Sequence, residues 1–442
     1  MKLPAIPGFD QMAFEKYLKN TGWLLLARVG SLFIKIIVGF AVANYLGSTQ
    51  NGLLNFPLAF VAFFIAAAAL GLDGFLTREL LNTPEKKDEL LGTSFWLRFV
   101  SGFIILPVIY LTYSIVNQTE IINTPLSYIL IVAFIGIIQS LNVIDCYFQS
   151  QVQAKYVMYV QVAGNISSAI IKLVLIYLSA PLIAFVGALL FDAMLLALGY
   201  VLTFSINGNS VLNWKFDKVL AVYLLRNSWP LAFSTVLITI YMKIDQLMVS
   251  SFLGVKELGV YSTVVPLSES WYFIPVAIVT SVFPAIMNAK RDDPARYKRR
   301  LQDMYDLMVI MSLSIAVVMT FASKLVYQIF YKPEYWYGAD ALSVHVWGGV
   351  FVFLGTASGQ YLIAEGLTKL AMIRTGVGEV INIALNIILI PKYGILGAAY
   401  STLIAYGVAT FFILFIPSTR HQGLMMLKSL FLISPIQKFI KR

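Results

Sequence analysis

Two basic residues stand inside an apolar stretch of this sequence, where a charge is costly. The stretch runs from Gly22 to Gly47 and contains Arg28 and Lys35 but no acidic residue. A charge at the centre of a bilayer costs roughly 2.5–3.5 kcal/mol even on the mildest scale. Each side chain therefore either reaches the membrane interface along its own length or faces a water-filled cavity, where it could bind an anion.

A third basic residue, Lys243, lies in a similar setting in the seventh apolar stretch. Residues spaced by three or four, seven and eleven positions share one face of an α-helix. Arg28 and Lys35 share such a face, and Lys243 shares one with Gln246. At 1.5 Å per residue, Lys35 lies about 20 Å and Lys243 about 22 Å into its stretch. The spacing predicts cations at similar depth on two helices.

Polar residues follow the same spacing in two further stretches. The fifth stretch has Gln161, Asn165, Ser168 and Lys172, and the eleventh has Thr375, Glu379, Asn382 and Asn386. Such residues either form hydrogen bonds between the helices of one bundle or line a cavity. Carboxylates near the middle of the membrane are Asp192 and Glu269, with Asp245 further out and Glu379 nearer the cytoplasm. Each either forms a salt bridge with a neighbouring helix or relays protons.

The elements that must position these residues are membrane helices. The chain has 442 residues, of which 59% are hydrophobic and only 12% are charged, whereas a soluble domain carries about 25% charged residues. A helix that spans a bilayer needs about 20 mostly apolar residues, and twelve such stretches can be marked. The sequence therefore predicts an all-α integral membrane protein with twelve transmembrane helices.

The positions of lysine and arginine orient the chain, because cytoplasmic loops are enriched in them. With a cytoplasmic N-terminus, 23 of the 32 basic residues fall on the cytoplasmic side, 3 on the other side and 6 within the helices. The net charge of +10 is then explained by topology, and we expect no nucleic-acid partner. Both termini are predicted to be cytoplasmic.

Several kinds of site are excluded by composition and motif. The one cysteine, Cys146, rules out an intramolecular disulfide. The two histidines, His345 and His421, lie far apart, and we expect no metal site. No G-x-x-x-x-G-K-[ST] loop is present, so the chain has no ATPase motif. The outer loops are too short for an enzyme's active site, so we expect a transporter without catalytic residues.

The chain repeats itself after about half its length. "LGSTQNGLL" (46–54) matches "LGVKELGVY" (253–261) at an offset of 207 residues, and residues 147–166 match 361–380 at an offset of 214. Each half has six predicted helices, so both enter the membrane from the same side. The sequence predicts parallel repeats, related by an axis along the membrane normal, with a cavity between them.

The repeat sets the predicted domain boundaries. These are an N-terminal six-helix lobe (1–205), a cytoplasmic linker (206–227), a C-terminal six-helix lobe (228–417) and a cytoplasmic amphipathic tail (418–442).

Several segments carry a resemblance to a known family. They include "LGLDGFLTREL" (70–80), "SWPLAFS" (228–234), "MKIDQLMVSSFLGVKELGVYS" (242–262) and "ILIPKYGILGAAYSTLI" (388–404). The chain resembles the bacterial polysaccharide-export flippases, the O-antigen (Wzx-type) branch of the superfamily that also holds the multidrug MATE exporters and the lipid II flippases.

The resemblance implies a MATE-like fold of two lobes around a central cavity. It also implies a substrate, a polyprenyl-pyrophosphate-linked oligosaccharide moved by alternating access to the outer leaflet of the bacterial inner membrane. Arg28, Lys35 and Lys243 fit the cationic cavity of such flippases and would bind the pyrophosphate. The alternatives are a cation-coupled multidrug exporter and, ranked lower, a lipid II flippase.

Coupling and partners complete these expectations. Residues that would line the cavity or couple transport are Glu269, Asp192, Asp245, Lys172, Gln246 and Glu379. We expect no cofactor, and coupling to a proton gradient, a sodium gradient or the membrane potential. The expected partners are the lipid-linked oligosaccharide, membrane lipids, a polysaccharide polymerase and a chain-length regulator, and the protein itself is expected to be a monomer.

The predicted topology can be tested by cysteine labelling. With Cys146 replaced, an impermeant thiol reagent added outside should label single cysteines introduced at Thr49, Lys256 or Trp336. It should leave unlabelled single cysteines introduced at Lys87, Lys215 or Lys298. Outside labelling at any of the second three positions would overturn the orientation.

Overall fold

The regular structure of the described chain is helical. The computed structural model describes residues 11–116 and 124–440, and the side chains of residues 29–115, 124–283, 286–290 and 293–437. The first eight helices are α1 (Gln11–Ala68), α2 (Leu72–Asn82), α3 (Lys87–Val116), α4 (Leu126–Ile138), α5 (Val143–Ser150), α6 (Ala154–Tyr177), α7 (Leu182–Ile206) and α8 (Lys218–Leu253). The other eight are α9 (Val255–Glu269), α10 (Phe273–Asp292), α11 (Pro294–Phe330), α12 (Gly338–Ala364), α13 (Thr368–Tyr393), α14 (Ile395–Phe411), α15 (Arg420–Leu430) and α16 (Ile433–Ile440).

The described helices are long and apolar enough to cross a membrane many times. Eleven segments meet that standard within the described residues, and the first, Val29–Asn82, is 54 residues long. That length corresponds to about 80 Å of helix, against about 30 Å for the hydrocarbon core of a bilayer. α1 is broken at Gly47, where φ is +73°, so this segment provides the first two predicted crossings. The prediction of an all-α membrane protein is confirmed.

Contacts divide the chain into two compact units. The first contains the residues up to Leu46 together with Leu53–Lys243, and the second contains Gly47–Gly52 together with Ile244–Arg442. α8 therefore contributes to both units. The predicted lobe boundaries follow the sequence repeat rather than these contacts, and they stay a prediction.

The first unit is held together at one end by a buried cluster between α2, α5 and α7. Leu72, Leu76, Phe148 and Phe204 form its centre and are almost completely buried. The segment before α8 is fixed against the start of α3, because Gly92 lets the backbone of Lys215 come close. A Cβ atom at Gly92 would lie 2.5 Å from the carbonyl oxygen of Lys215.

The second unit contains a reciprocal glycine contact between segment 47–52 and the start of α9. A Cβ atom at Gly52 would lie 1.7 Å from the carbonyl oxygen of Val255, and one at Gly259 would lie 1.7 Å from that of Ser48. Both distances are far below van der Waals contact, so only glycine fits. These pairs are related by the 207-residue offset of the repeat, and the backbone turns before them, at Gly47 and Gly254, both have positive φ.

The C-terminal helices pack on α11. Asp306 of α11 is buried, and it accepts hydrogen bonds from Ser429 Oγ (2.6 Å) and Ser434 Oγ (2.8 Å). α11 itself begins at a capped end, because the Asp293 carboxylate accepts from the backbone amides of Ala295 and Arg296. The hydrogen bond from Arg296 holds the pKa of Asp293 below its usual value. The polar side of the tail thus meets protein, a contact that its amphipathic pattern alone did not identify.

Candidate functional site

The polar stripe predicted on the fifth span lies on α6 and joins three helices of the first unit. Lys172 Nζ donates to Asp192 Oδ2 of α7 at 2.6 Å and to Ser168 Oγ at 2.8 Å. Two turns before Lys172, Asn165 Nδ2 donates to Ser31 Oγ of α1 at 2.7 Å. The stripe therefore holds α1, α6 and α7 together, as interhelical hydrogen bonds do in membranes.

The ion pair involves one oxygen of the Asp192 carboxylate, Oδ2. The Lys172 and Asp192 side chains are 19% and 24% exposed, so most of each lies within the protein. Asp192 Oδ1 is buried and accepts no hydrogen bond from the described residues. Within the pair the two charges cancel, so it adds no net charge to the interior of the unit.

Lys35 supplies the net charge at this place. It lies one turn after Ser31 on α1, its side chain is exposed, and it interacts electrostatically with both Lys172 and Asp192. It is not a member of the ion pairs found within the described residues. Because Asp192 is already paired, the Lys35 ammonium is the uncompensated charge of the group.

The other two predicted cations are Arg28 and Lys243. The side chain of Arg28 lies outside the described residues. Lys243 is half-buried on α8, and in the part of the chain that the structure describes it makes neither an ion pair nor a hydrogen bond. Lys243 is also the last residue of the first unit, so by contacts both lysines belong to that unit. A joint site for Lys35 and Lys243 stays a prediction.

The second unit contains a carboxylate with neutral partners. Asp245 of α8 is buried, and its Oδ1 accepts a hydrogen bond from Asn386 Nδ2 of α13 at 2.7 Å. Its Oδ2 accepts from the hydroxyl of Thr402 on α14. Asn386 Nδ2 also donates to Asn382 Oδ1 at 3.0 Å. The carboxylate is thus fixed in orientation, but no cationic side chain among the described residues forms an ion pair with it.

Oxygen atoms that lack a donor surround this carboxylate. Asn386 Oδ1 and both oxygens of Glu379 are buried and accept no hydrogen bond within the described chain. Glu379 lies on α13, close enough to Asp245 for their charges to interact. Carboxylate and amide oxygens are the ligands that hard cations prefer. These residues could therefore hold a small cation or a proton.

Two other residues predicted to contribute lie near this group. Gln246 is buried beside Asp245. Glu269 ends α9, is half-buried and interacts electrostatically with Tyr261. The hydrogen bonds described above for Asp245 come from Asn386 and Thr402, so a part in coupling stays a prediction for both Gln246 and Glu269.

Comparison with known families places the chain. A family model described as "Polysaccharide biosynthesis protein" matches residues 17–290, which is more than half of the chain. The chain belongs to this polysaccharide biosynthesis protein family. A second model, MatE, matches residues 230–388.

Two relatives are similar to the chain over different lengths. An uncharacterised membrane protein of Methanocaldococcus jannaschii is 25% identical, over 90% of the chain and 83% of its own length. A candidate O-antigen transporter of Shigella flexneri is 27% identical, over 38% of the chain and 40% of its own length.

Solved structures confirm the MATE-like fold of the chain. An inward-facing multidrug resistance MATE transporter of the MOP superfamily has a TM-score of 0.72 at 15% identity, covering 92% of this chain and 96% of its own. The lipid II flippase MurJ, in an inward closed conformation, has a TM-score of 0.69 at 16% identity, covering 96% and 93%. At 15% and 16% identity these two likenesses show the fold alone.

Sequence spacing missed Thr402, a partner of Asp245, and a separate ion pair between Arg98 and Asp73. Thr402 is a single hydroxyl in an apolar helix, without a spacing that sets it apart. Arg98 of α3 is 4% exposed and donates to Asp73 Oδ1 at 2.7 Å. Arg98 could have been singled out as a basic residue inside a span, but its partner lies 25 residues earlier on another helix.

The coupling within the Lys172–Asp192 pair can be measured by a double-mutant cycle. Lys172→Met or Asp192→Leu alone should lower stability by up to about 3–5 kcal/mol, because each strands the partner's charge, while the double variant should recover much of the loss. The readout is the thermal unfolding midpoint of the detergent-purified protein. Lys324→Met, at an exposed lysine on α11, is the control. Simple addition of the two single losses would contradict the pairing.

Proposed function

We propose that the protein is a flippase for polyprenyl-pyrophosphate-linked oligosaccharides, the repeat units of a surface polysaccharide. The observation that carries this proposal is Lys35, an exposed and uncompensated ammonium beside an ion pair that cancels itself. A charge in this setting is costly unless it has water or an anion to interact with. Membership of the polysaccharide biosynthesis protein family and the name of the Shigella flexneri relative support an anion of the lipid-linked oligosaccharide kind.

The pyrophosphate would be the group that Lys35 binds. A lysine ammonium is a compact point charge that pairs with phosphate oxygens without demanding a fixed geometry. Ser31 and Asn165 are already hydrogen-bonded to each other, so the α1 backbone near Lys35 is held in place. Lys243 and Arg28 would add two more cations to the same anion. Their part in the site is inferred from their positions along the predicted membrane helices.

Transport by alternating access follows from differential binding. A ligand shifts an equilibrium between two states by its difference in affinity for them. If the basic residues contact the pyrophosphate together in one state only, loading favours that state and drives the change of access. The proposed direction is from the cytoplasmic to the outer leaflet of the cytoplasmic membrane.

A multidrug exporter fits the charges less well. Such an exporter would use exposed carboxylates to attract cationic drugs. Here Asp192 is paired with Lys172 and Asp245 is buried under two hydrogen bonds, whereas Lys35 is exposed. The similarity to multidrug transporters concerns the fold at 15% identity and does not decide the cargo.

Asp245 is the proposed coupling residue. Its carboxylate, the free oxygen of Asn386, the hydroxyl of Thr402 and the nearby Glu379 offer oxygen ligands in a buried place. Two neighbouring buried carboxylates repel each other unless a cation or a proton lies between them. We propose that a sodium ion or a proton enters this group and that its release resets the empty carrier, with the membrane potential adding to the drive.

Neutralising the two lysines tests the substrate site. Lys35→Gln combined with Lys243→Gln should abolish most export, since each hydrogen bond to a charged group contributes about 1.5–3 kcal/mol, a factor of about 10 or more in binding. Lys35→Arg and Lys243→Arg should keep substantial export because the charge remains. The measurement is lipid-linked oligosaccharide accumulating on the cytoplasmic leaflet at normal protein levels. Lys324→Gln is the control, and full export by the doubly neutral protein would remove the basis of the proposal.

Removing the Asp245 charge tests the coupling. Asp245→Asn should preserve pyrophosphate binding but abolish the response of export to an imposed sodium or proton gradient in proteoliposomes. Thr402→Val should weaken that response, because it removes one oxygen and leaves the carboxylate. Glu269→Gln, measured in the same way, tests another acidic residue that is predicted to couple transport. A gradient response of wild-type size in Asp245→Asn would show that coupling resides elsewhere.

A further inference from the structure

An apolar groove opens on the surface of the first unit. Its volume is about 570 Å³, within the range of about 300–1,000 Å³ that is typical of ligand pockets. The groove is lined by Leu70, Trp96, Val100, Ile104, Phe216 and Leu225. All six positions belong to the first unit.

One wall of the groove is a straight ridge along α3. Trp96, Val100 and Ile104 are spaced four residues apart, so they share one helical face and extend along about 12 Å of the helix axis. Val100 is 50% exposed and Ile104 is 60% exposed. A long groove parallel to a membrane helix suits a hydrocarbon chain better than a compact ligand.

The opposite wall is fixed rather than mobile. Phe216 follows Lys215, whose backbone is packed against Gly92 of α3. The Asp217 amide donates to Thr93 Oγ1 at 3.0 Å, and the Lys215 amide donates to the carbonyl of Asp88 at 3.2 Å. The two walls are therefore tied by backbone contacts, and the groove is a built feature of the unit.

Basic residues adjoin two of the lining residues, Phe216 and Leu225, in the sequence. Lys215 and Lys218 lie on either side of the Phe216–Asp217 pair, and Arg226 directly follows Leu225; all three basic side chains are exposed. In the predicted topology all three lie on the cytoplasmic side, where the substrate must load. A molecule that matches both features has an anionic group joined to a long hydrocarbon chain.

We propose that this groove holds the isoprenoid chain of the lipid-linked oligosaccharide during loading, with its pyrophosphate at Lys215, Lys218 and Arg226. This inference rests on the proposed function, since it assumes that the carried lipid is a polyprenyl pyrophosphate. It assigns the chain to a place apart from Lys35, so that the head group can move to Lys35 while the chain stays in the lipid phase. An ordinary phospholipid at the same place is an outcome of the test.

Photo-crosslinking of the full-length protein in nanodiscs tests the groove. The probe is a polyprenyl diphosphate with a benzophenone on its chain, compared with phosphatidylglycerol that carries the same group on an acyl chain. The polyprenyl probe should label residues 96–104 and 216–225. Unlabelled polyprenyl diphosphate should compete for this labelling, and phosphatidylglycerol should not.

A matched pair of valines on α3 provides the mutational arm. Val100→Trp fills the groove and should weaken labelling about tenfold or more, because the indole ring would occupy the space that the isoprenoid chain needs. Val108→Trp makes the same change at a position that is 44% exposed and outside the groove lining, and it should leave labelling unchanged. If Val100→Trp is not produced, the competition measurement on the wild-type protein decides the matter.

The outcomes separate this inference from the proposed function. Equal labelling and competition by phosphatidylglycerol, or equal behaviour of the two tryptophan variants, would overturn the groove while leaving oligosaccharide export intact. Specific labelling of the groove in a protein that moves no lipid-linked oligosaccharide would support the groove and refute the proposed function. Lys35→Gln should reduce export without changing groove labelling, because the two sites are separate.

Discussion

The ion pair between Lys172 and Asp192 determines the charge inside the first unit. At 2.6 Å the two groups neutralise each other, and the pair ties α6 to α7. Without Asp192, Lys172 and Lys35 would be two repelling cations in an apolar surrounding. Without Lys172, Asp192 would pair with Lys35 and remove the one exposed cation of the group. The pair therefore makes it possible for Lys35 to keep a free charge, and the proposed anion site depends on it.

The helices, their approximate limits and the polar faces were predictable from the sequence. The four-residue spacing of Gln161, Asn165 and their neighbours identified the face of α6 that does contact α1 and α7. The partners of that face were not predictable, because Asp192 is on a separate helix and nothing in the chain specifies how α6 and α7 turn towards each other. Thr402 gave no signal at all, since a lone threonine in an apolar helix has many roles.

Two glycines give a second example of contacts that could not be predicted from the sequence. The repeated L-G-x4-G segments suggested two copies of one unit, and the structure shows what Gly52 and Gly259 have in common. Each lets a carbonyl oxygen approach to 1.7 Å from where a Cβ would be. Gly52 accommodates the carbonyl of Val255, and Gly259 accommodates that of Ser48, so the two contacts are reciprocal. The repeat could be recognised from residue identities, but the close approach of the two backbone segments that requires these glycines is visible only in the structure.

The two polar groups differ at one equivalent position of the repeated helix. At the 214-residue offset of the repeat, Lys172 of α6 corresponds to Asn386 of α13. Lys172 brings its own positive charge to a carboxylate, whereas Asn386 brings only a neutral amide to Asp245. A carboxylate with a built-in ammonium has no need of an exchangeable cation, and one with an amide does. The first group is therefore suited to a permanent structural role, and the second to the exchange of a cation or a proton that we propose for Asp245.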